Sequence, residues 1–368
     1  MTIKQIIEAL EAELPLWLQE EYDNCGLQVG DADQEAMGAL LCVDVTEEVI
    51  YEAVQRGCNL IVVHHPLLFK GLKRVGTGSY IERCVSLALK ADLCIYAAHT
   101  NADNAPRGLN AYLAKDLGLM NTRPLVSLVG KLTELVTYVP TKQLEAVQQA
   151  LWAAGAGRIG AYDSCSFSHE GVGTFRALAG SSPFVGEEGQ LHHEAEARLS
   201  VIFPSADTYT IVEAMLGAHP YETPAYSLYP LANDYLSAGS GIVGDLIEEL
   251  DLEVFLESVK AYFGTEKLSY TPLPLGEDAR RVRRVAICSG SGAFLWRAAR
   301  RAGADIFITG EAKYNDYFDV EACPILATVG HYESEAVCVR VFRDIISHNF
   351  PNFVLHDSKL NSNPIKSI

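Results

Sequence analysis

Two adjacent histidines, His64 and His65, follow the apolar stretch LIVV and stand directly before Pro66. Neighbouring side chains in a strand point to opposite faces. If the strand ends before the proline, however, both imidazoles can line one pocket. Two imidazoles that point in slightly different directions suit two metal ions better than one. The alternative is a purely structural pair, which is the commoner role for two isolated neighbouring histidines.

A second pattern places a histidine four residues before a carboxylate, where an apolar strand gives way to a helix. His331 and Glu335 have this spacing, and His99 and Asp103 repeat it in the first part of the chain. On a helix, residues four apart share one face and can bind the same ion. A solvent-facing helix start, where acids favour the N-terminal end, also explains each pattern alone. Its recurrence favours the metal interpretation.

Imidazole and carboxylate groups together suit Zn, Mn or Fe. The candidate ligands for two divalent metal ions are therefore His64, His65, Asp103, His331 and Glu335. Two such ions lower the pKa of a water molecule and make it a nucleophile for hydrolysis. The candidates for proton transfer or for orienting a ligand are His99, Glu311 and Glu333. The CSGSG stretch is interpreted as a phosphate-binding turn or, more simply, as a tight turn between a strand and a helix.

The elements that must position these residues follow an α/β pattern. Short apolar strands alternate with helices, which predicts a mostly parallel sheet with ligands at the carboxyl ends of its strands. Residues 56–65 align with 302–311, so residues 1–126 and 234–368 are predicted to be two related α/β half-domains of one core. A long helix is predicted from Glu333 to Asn349.

Residues 127–233 are predicted to form an inserted domain. Their order of elements is βαββαβ, which is typical of a ferredoxin-like layer with helices on one face. Two of its strands are predicted at about 162–167 and 198–203, and His192 and His193 are placed in a polar connection.

Composition narrows the possible partners. The formal net charge is -18, which disfavours nucleic acid and anionic membrane surfaces as partners. The nine cysteines contain no CxxC pair, so no disulfide framework is predicted. The N-terminus has the pattern of an amphipathic helix rather than a signal peptide. We expect the protein to be cytoplasmic and not to associate with membranes.

Five motifs then occur in order along the outer segments: YDNCGLQVG, VVHHPLLF, AAHTNAD, TGEAKYND and GHYESE. Together they resemble the Nif three-like dinuclear-metal protein family, often labelled GTP cyclohydrolase one, type two. The resemblance implies the same five metal ligands and a toroidal homohexamer with dinuclear sites facing an internal cavity. The middle segment, with GVGTFRALAGSSPFVG and GAHPYETPAY, resembles the insert of longer members, which is similar to the PII signal protein and CutA.

The sequence thus leads to the hypothesis of a dinuclear-metal-dependent hydrolase that acts on a small nucleotide-like or amide-bearing molecule. The family label does not identify the reaction. The cyclohydrolase reaction requires a purine pocket and a proton donor in addition to two metal ions. The alternative is a non-enzymatic metal-binding oligomeric scaffold or metallochaperone with a ligand-sensing insert.

Overall fold

The computed structural model describes residues 1–273, 280–321 and 323–366. The chain divides into two compact units. The core unit comprises Met1–Ser127 and Leu236–Ile368, and the inserted unit comprises Leu128–Tyr235. No helix among the described residues is long and apolar enough to cross a membrane.

The first half of the core unit is built on a five-stranded sheet. The elements of this half are α1 (Ile3–Glu13), β1 (Gly26–Val29), β2 (Ala39–Cys42), α2 (Glu47–Gln55), β3 (Leu60–Val63), α3 (Tyr80–Lys90), β4 (Cys94–Ala97), α4 (Thr100–Asn104), α5 (Leu109–Asp116) and β5 (Met120–Val129), of which β5 joins the second sheet. The sheet order is β1-β4-β3-β2-β15, where β15 (Leu355–Asp357) is the last strand of the chain. Strands β2, β3 and β4 run parallel, and all their residues are buried, as expected for continuous apolar strands covered on both faces.

The second half repeats this plan. Its elements are β10 (Asp234–Asp251), α8 (Leu252–Phe263), β11 (Ser269–Tyr270), β12 (Arg281–Cys288), α9 (Trp296–Arg301), β13 (Ile306–Thr309), α10 (Asp316–Asp319), β14 (Ile325–Thr328), α11 (His331–Glu335) and α12 (Cys338–Asn349). The sheet order is β11-β14-β13-β12-β10-β5. Three parallel strands, β12 to β14, are flanked by antiparallel β11, just as β2 to β4 are flanked by antiparallel β1. The predicted α/β architecture with two related halves is confirmed.

One boundary in this half differs from the prediction. A single helix is predicted from Glu333 to Asn349, but the structure has two helices here. The first, α11, ends at Glu335, and the second, α12, begins at Cys338. The break matters for the site, since α11 and its counterpart α4 are both single short turns of helix directly after a parallel strand. Each therefore presents its histidine and carboxylate at the carboxyl edge of a sheet.

The inserted unit contains β6 (Leu132–Pro140), α6 (Leu144–Ala153), β7 (Phe167–Arg176), β8 (Leu191–Pro204), α7 (Thr208–Ala218) and β9 (Tyr226–Leu231). All neighbouring strands in its sheet are antiparallel, in the order β7-β8-β6-β9. Two predictions here are wrong: the strand placed at 162–167 begins only at Phe167, and His192 and His193 lie inside β8. Gly171 and Gly173 interrupt any apolar alternation in β7, and the polar residues at the start of β8 do the same there, so neither strand is evident from the sequence.

Candidate metal centre

The carboxyl ends of the parallel strands in both sheets bring the candidate residues together. His64 and His65 follow β3, and His99 follows β4. From the second sheet, Glu311 follows β13 and His331 begins α11 just beyond β14. Parallel strands end at a common edge, and in the core unit the two edges face each other closely enough for His65 Nε2 to lie 3.4 Å from His331 Nε2.

Each of the paired histidines after β3 is oriented through its Nδ1 atom. Nδ1 of His64 donates a hydrogen bond to the carbonyl oxygen of Ala98 at 2.9 Å, and Nδ1 of His65 lies 2.7 Å from Asp44 Oδ1. Because both partners are acceptors, Nδ1 of each ring carries a proton, and Nε2 is the atom left to bind an ion or to form a hydrogen bond within the cluster. Both Nε2 atoms therefore face the cluster.

Glu335 lies between the histidines and is almost completely buried. Its Oε2 atom is 2.8 Å from His65 Nε2 and 3.1 Å from His331 Nε2. Its Oε1 atom is 3.7 Å from His64 Nε2. The two oxygens of one carboxylate thus face different imidazoles, Oε1 toward His64 and Oε2 toward His65 and His331.

Asp103 completes the side of the cluster near His64. Its Oδ1 atom lies 3.9 Å from His64 Nε2 and accepts a hydrogen bond from Ser289 Oγ at 3.0 Å. The backbone N–H of Ser289 donates to Asn110 Oδ1, and the Asn110 amide donates to the Asp103 carbonyl. The loop after β12 therefore holds Asp103 from the other half of the core unit.

His99 is oriented in the same way as the other imidazoles. Its Nδ1 atom lies 2.9 Å from Oδ1 of Asp23, whose side chain is fully buried. The second oxygen of Asp23 accepts hydrogen bonds from both the N–H and the hydroxyl of Thr100. The His99 ring lies 5.1 Å from the His64 ring and 5.4 Å from the His65 ring, measured between centroids. Its Nε2 atom is left free to bind an ion or accept a proton.

The two remaining candidates occupy different surroundings. Glu311 Oε1 lies 3.4 Å from His331 Nδ1, and the Ser291 hydroxyl donates a hydrogen bond to the same oxygen. Glu311 is thus placed to orient His331 in the way that Asp44 orients His65. Glu333 instead accepts a hydrogen bond from Asn363 at 3.0 Å. Among the described residues, no ion pair or hydrogen bond joins Glu333 to the five candidate ligands.

The charged groups in this cluster lie so close together that they shift one another's pKa values. Burial lowers the pKa of His65, but the Asp44 and Glu335 carboxylates outweigh burial and raise it to about 10. The hydrogen bond to Glu335 raises the pKa of His331. Burial opposes ionisation of Glu335, but the histidines around it hold its pKa well below the usual range. Protons on the imidazoles balance the carboxylate charge here, and cations binding to the same atoms would replace them.

Two observations show that the residues fit metal ions. His64 Nε2 is buried and has no hydrogen-bond partner among the described residues, at distances from Asp103 and Glu335 too long for hydrogen bonds. The donor atoms of His64, His65 and His99 lie within 4.8 Å of one another, and so do those of His65, His331 and Glu335. Buried acceptor atoms converge in this way where a cation supplies the missing positive charge.

A family model described as Duf34/NIF3 (NGG1p interacting factor 3) matches residues 1–364. The chain belongs to this family. A Bacillus subtilis relative named GTP cyclohydrolase 1 type 2 homolog is 36% identical over 347 residues, which are 94% of this chain and 92% of the relative. Crystal structures of a Bacillus cereus protein related to NIF3 and of a Staphylococcus aureus protein are 35% and 26% identical, with TM-scores of 0.83 and 0.79. Each match covers 100% of this chain and 99% of the solved one.

Sequence reasoning about this Duf34/NIF3 member missed the carboxylates that orient the histidines. Asp23 lies inside the YDNCG motif and Asp44 lies two residues beyond β2, yet neither was assigned a role. For Asp44 a signal was present, because it follows a parallel strand at the same sheet edge as His65 and His99. For Asp23 the contact with His99 joins residues 76 positions apart and depends on tertiary packing.

Gly290 offers a test of the Glu335 position that leaves every candidate ligand intact. The residue has φ +62°, and a Cβ atom there would overlap Glu335 Oε1. We therefore expect Gly290→Ala to displace the carboxylate and weaken metal affinity by about 10- to 100-fold, the range typical of residues that hold metal ligands in place. Isothermal titration calorimetry with Mn²⁺ or Zn²⁺ on the metal-depleted protein measures the change.

Gly303→Ala is the matched control for this variant. Gly303 has the same left-handed conformation, with φ +72°, but a Cβ atom there would meet only the end of the Arg284 side chain at 3.8 Å. The Gly303→Ala variant has the same backbone strain but no overlap with Glu335, so its metal affinity should equal that of the wild type. Equal affinities for both variants and the wild type would show that Glu335 does not bind metal in this position.

Proposed function

We propose that this chain is a dinuclear-metal-dependent hydrolase that acts on a small nucleotide-like or amide-bearing molecule. The observation that carries the proposal is the convergence of three imidazole Nε2 atoms, those of His64, His65 and His331, on the buried Glu335 carboxylate, with each Nδ1 atom facing an acceptor. Structural histidines satisfy both ring nitrogens, whereas metal-binding histidines use one nitrogen for the ion and the other for an orienting acceptor.

The two oxygens of Glu335 divide the residues into two sets. Oε1 faces His64, which together with Asp103 would hold one ion, and Oε2 faces His65 and His331, which would hold the other. Imidazoles with carboxylates favour Zn, Mn or Fe. When bound, two such ions supply Lewis acidity toward the substrate and lower the pKa of a water molecule to near neutrality.

The chain's own residues would then orient and move protons. Asp23 fixes the His99 ring, so that its Nε2 atom faces the cluster and can accept a proton from the attacking water. Glu311 keeps His331 in the orientation that binds metal. About a third of the His331 side chain and a quarter of the His65 side chain are exposed, so a small molecule can reach this side of the cluster.

Turnover of three probes tests the proposal: GTP, bis(p-nitrophenyl) phosphate and p-nitroacetanilide. We expect metal-loaded protein to consume at least one of them, and EDTA-treated protein to consume none. For the consumed probe, His331→Ala should lower kcat/KM by at least about 100-fold, since an interaction worth roughly 3 kcal/mol in the transition state is lost.

Metal content of the same samples separates the two ways in which the proposal can fail. If the protein binds metal but consumes none of the three probes, the hydrolase is excluded and the metal-binding scaffold remains. If it binds no metal, both functions are excluded.

A further inference from the structure

The inserted unit contains a cavity of about 650 Å³ that the metal centre does not use. Alternate residues of β8, among them Leu199, Val201 and Phe203, pack against apolar residues of α6 and α7. The residues between them, including Glu196 and Arg198, point to the opposite face of the sheet. The cavity lies on this second face, covered by residues 177–184 and 221–225. Its size is in the range of small-molecule sites.

The floor of the cavity carries cationic and polar groups side by side. Arg198 on β8 pairs directly with His169 on β7 and with Tyr138 on β6. Directly opposed residues lie on the same face with Cβ atoms about 5 Å apart. No hydrogen bond or ion pair joins the Arg198 side chain to another described residue, and Arg198 is half-buried. Arg198 is therefore available to an anionic group, which is notable in a chain of net charge -18.

The cavity also has a buried carboxylate and aromatic walls. Glu196 is 9% exposed and accepts a hydrogen bond from the Tyr221 hydroxyl at 2.6 Å. The Tyr221 ring lies 5.9 Å from Phe175 and 6.4 Å from Phe184, measured between centroids. Tyr221 and Phe184 belong to the two covering segments, so a planar ring system can lie against rings from both the sheet and its cover.

Two features fix this arrangement. The Glu196 carboxylate lies directly over Gly173, where any Cβ atom would overlap it. The covering segments are joined by a hydrogen bond from the Ser182 N–H to Glu222 Oε2 at 3.0 Å. The cavity is thus built by specific contacts within the inserted unit.

We propose that this cavity binds a small anion that carries a planar ring system, with the anionic group at Arg198 and the ring against Tyr221, Phe175 and Phe184. Glu196 would accept hydrogen bonds from donors on the ring. Two sources share this chemistry: a nucleoside monophosphate and an aromatic carboxylate. The site is independent of the metal centre, because all the residues that form it lie in the inserted unit.

Isothermal titration calorimetry tests the proposal with three probes: guanosine monophosphate, adenosine monophosphate and indoleacetate. The full chain carries Glu335→Gln in every sample, so that phosphate bound to metal ions does not contribute. We expect at least one probe to bind with a Kd below about 1 mM. Binding of the nucleotides alone identifies a phosphate ligand, and binding of indoleacetate alone identifies a carboxylate ligand.

Two variants and one control locate the binding. Arg198→Gln should weaken it at least about tenfold, because a charged hydrogen bond is lost. Gly171→Phe should abolish it: Gly171 lines the cavity, and a Cβ there meets only the Glu196 carbonyl at 4.0 Å, so the ring fills the cavity while the strand remains intact. Arg158→Gln, an exposed site of the same unit outside the cavity, should leave Kd unchanged. If no probe binds, or if Arg198→Gln and Gly171→Phe both bind like the control, the proposal is wrong.

Discussion

Glu335→Gln is expected to remove both metal ions, lowering the content from about two ions per chain to nearly none. Glu335 faces His64 through Oε1 and faces His65 and His331 through Oε2. Glutamine has almost the same shape but lacks the negative charge, and its amide nitrogen would point toward one of the two sets of imidazoles. Elemental analysis of untagged protein purified without chelators measures the loss.

Glu333→Gln is the control for this experiment. Glu333 belongs to the same short helix but hydrogen-bonds to Asn363, so its replacement should leave the metal content unchanged. Asp103→Asn adds an intermediate point, because Asp103 lies only on the His64 side and its loss should remove about one ion. If Glu335→Gln retained both ions while Asp103→Asn lost one, the two sets of ligands would not share this carboxylate.

Asp23→Asn is expected to lower kcat/KM by about 10- to 100-fold while metal content stays the same. One oxygen of Asp23 contacts His99 Nδ1 and the other accepts hydrogen bonds from Thr100. Asparagine has a single acceptor oxygen, so either His99 loses its partner or the Thr100 N–H is left buried and unpaired. In the first case the ring no longer holds its proton on Nδ1, and Nε2 can no longer accept one.

A double variant distinguishes this positioning role from a general loss of stability. If Asp23 acts through His99, then Asp23→Asn combined with His99→Gln should be no slower than His99→Gln alone. The probe with measurable turnover serves as the substrate, and the thermal unfolding midpoint of each variant confirms that it is folded. Losses that multiply in the double variant would contradict the link between the two residues.

The sequence predicts the α/β architecture well because its signals are local. Strands such as β3 and β13 are continuous apolar runs, and each is preceded by a helix and a glycine turn. The alignment of His99 with His331 and of Asp103 with Glu335 corresponds to the matching positions of α4 and α11 after β4 and β14. The structure brings the five candidate ligands together because the carboxyl ends of parallel strands share an edge.

The features that sequence reasoning did not find depend on contacts between distant residues. Asp23 reaches His99 only because the loop before β1 packs against the start of α4. The inserted unit shows the same limit. Glu196 and Arg198 look like ordinary solvent-facing residues of an alternating strand, and only the pairing of β8 with β6 and β7 places Tyr138 and His169 beside them. Register of this kind is fixed by tertiary packing.

Anomalous diffraction from crystals of untagged protein grown with Mn²⁺ or Zn²⁺ tests most directly whether two ions share Glu335. We expect two separate anomalous peaks in the core unit, one beside His64 and Asp103 and the other beside His65 and His331, both within coordination distance of Glu335. A single peak, or peaks that lie away from Glu335, would contradict the dinuclear centre.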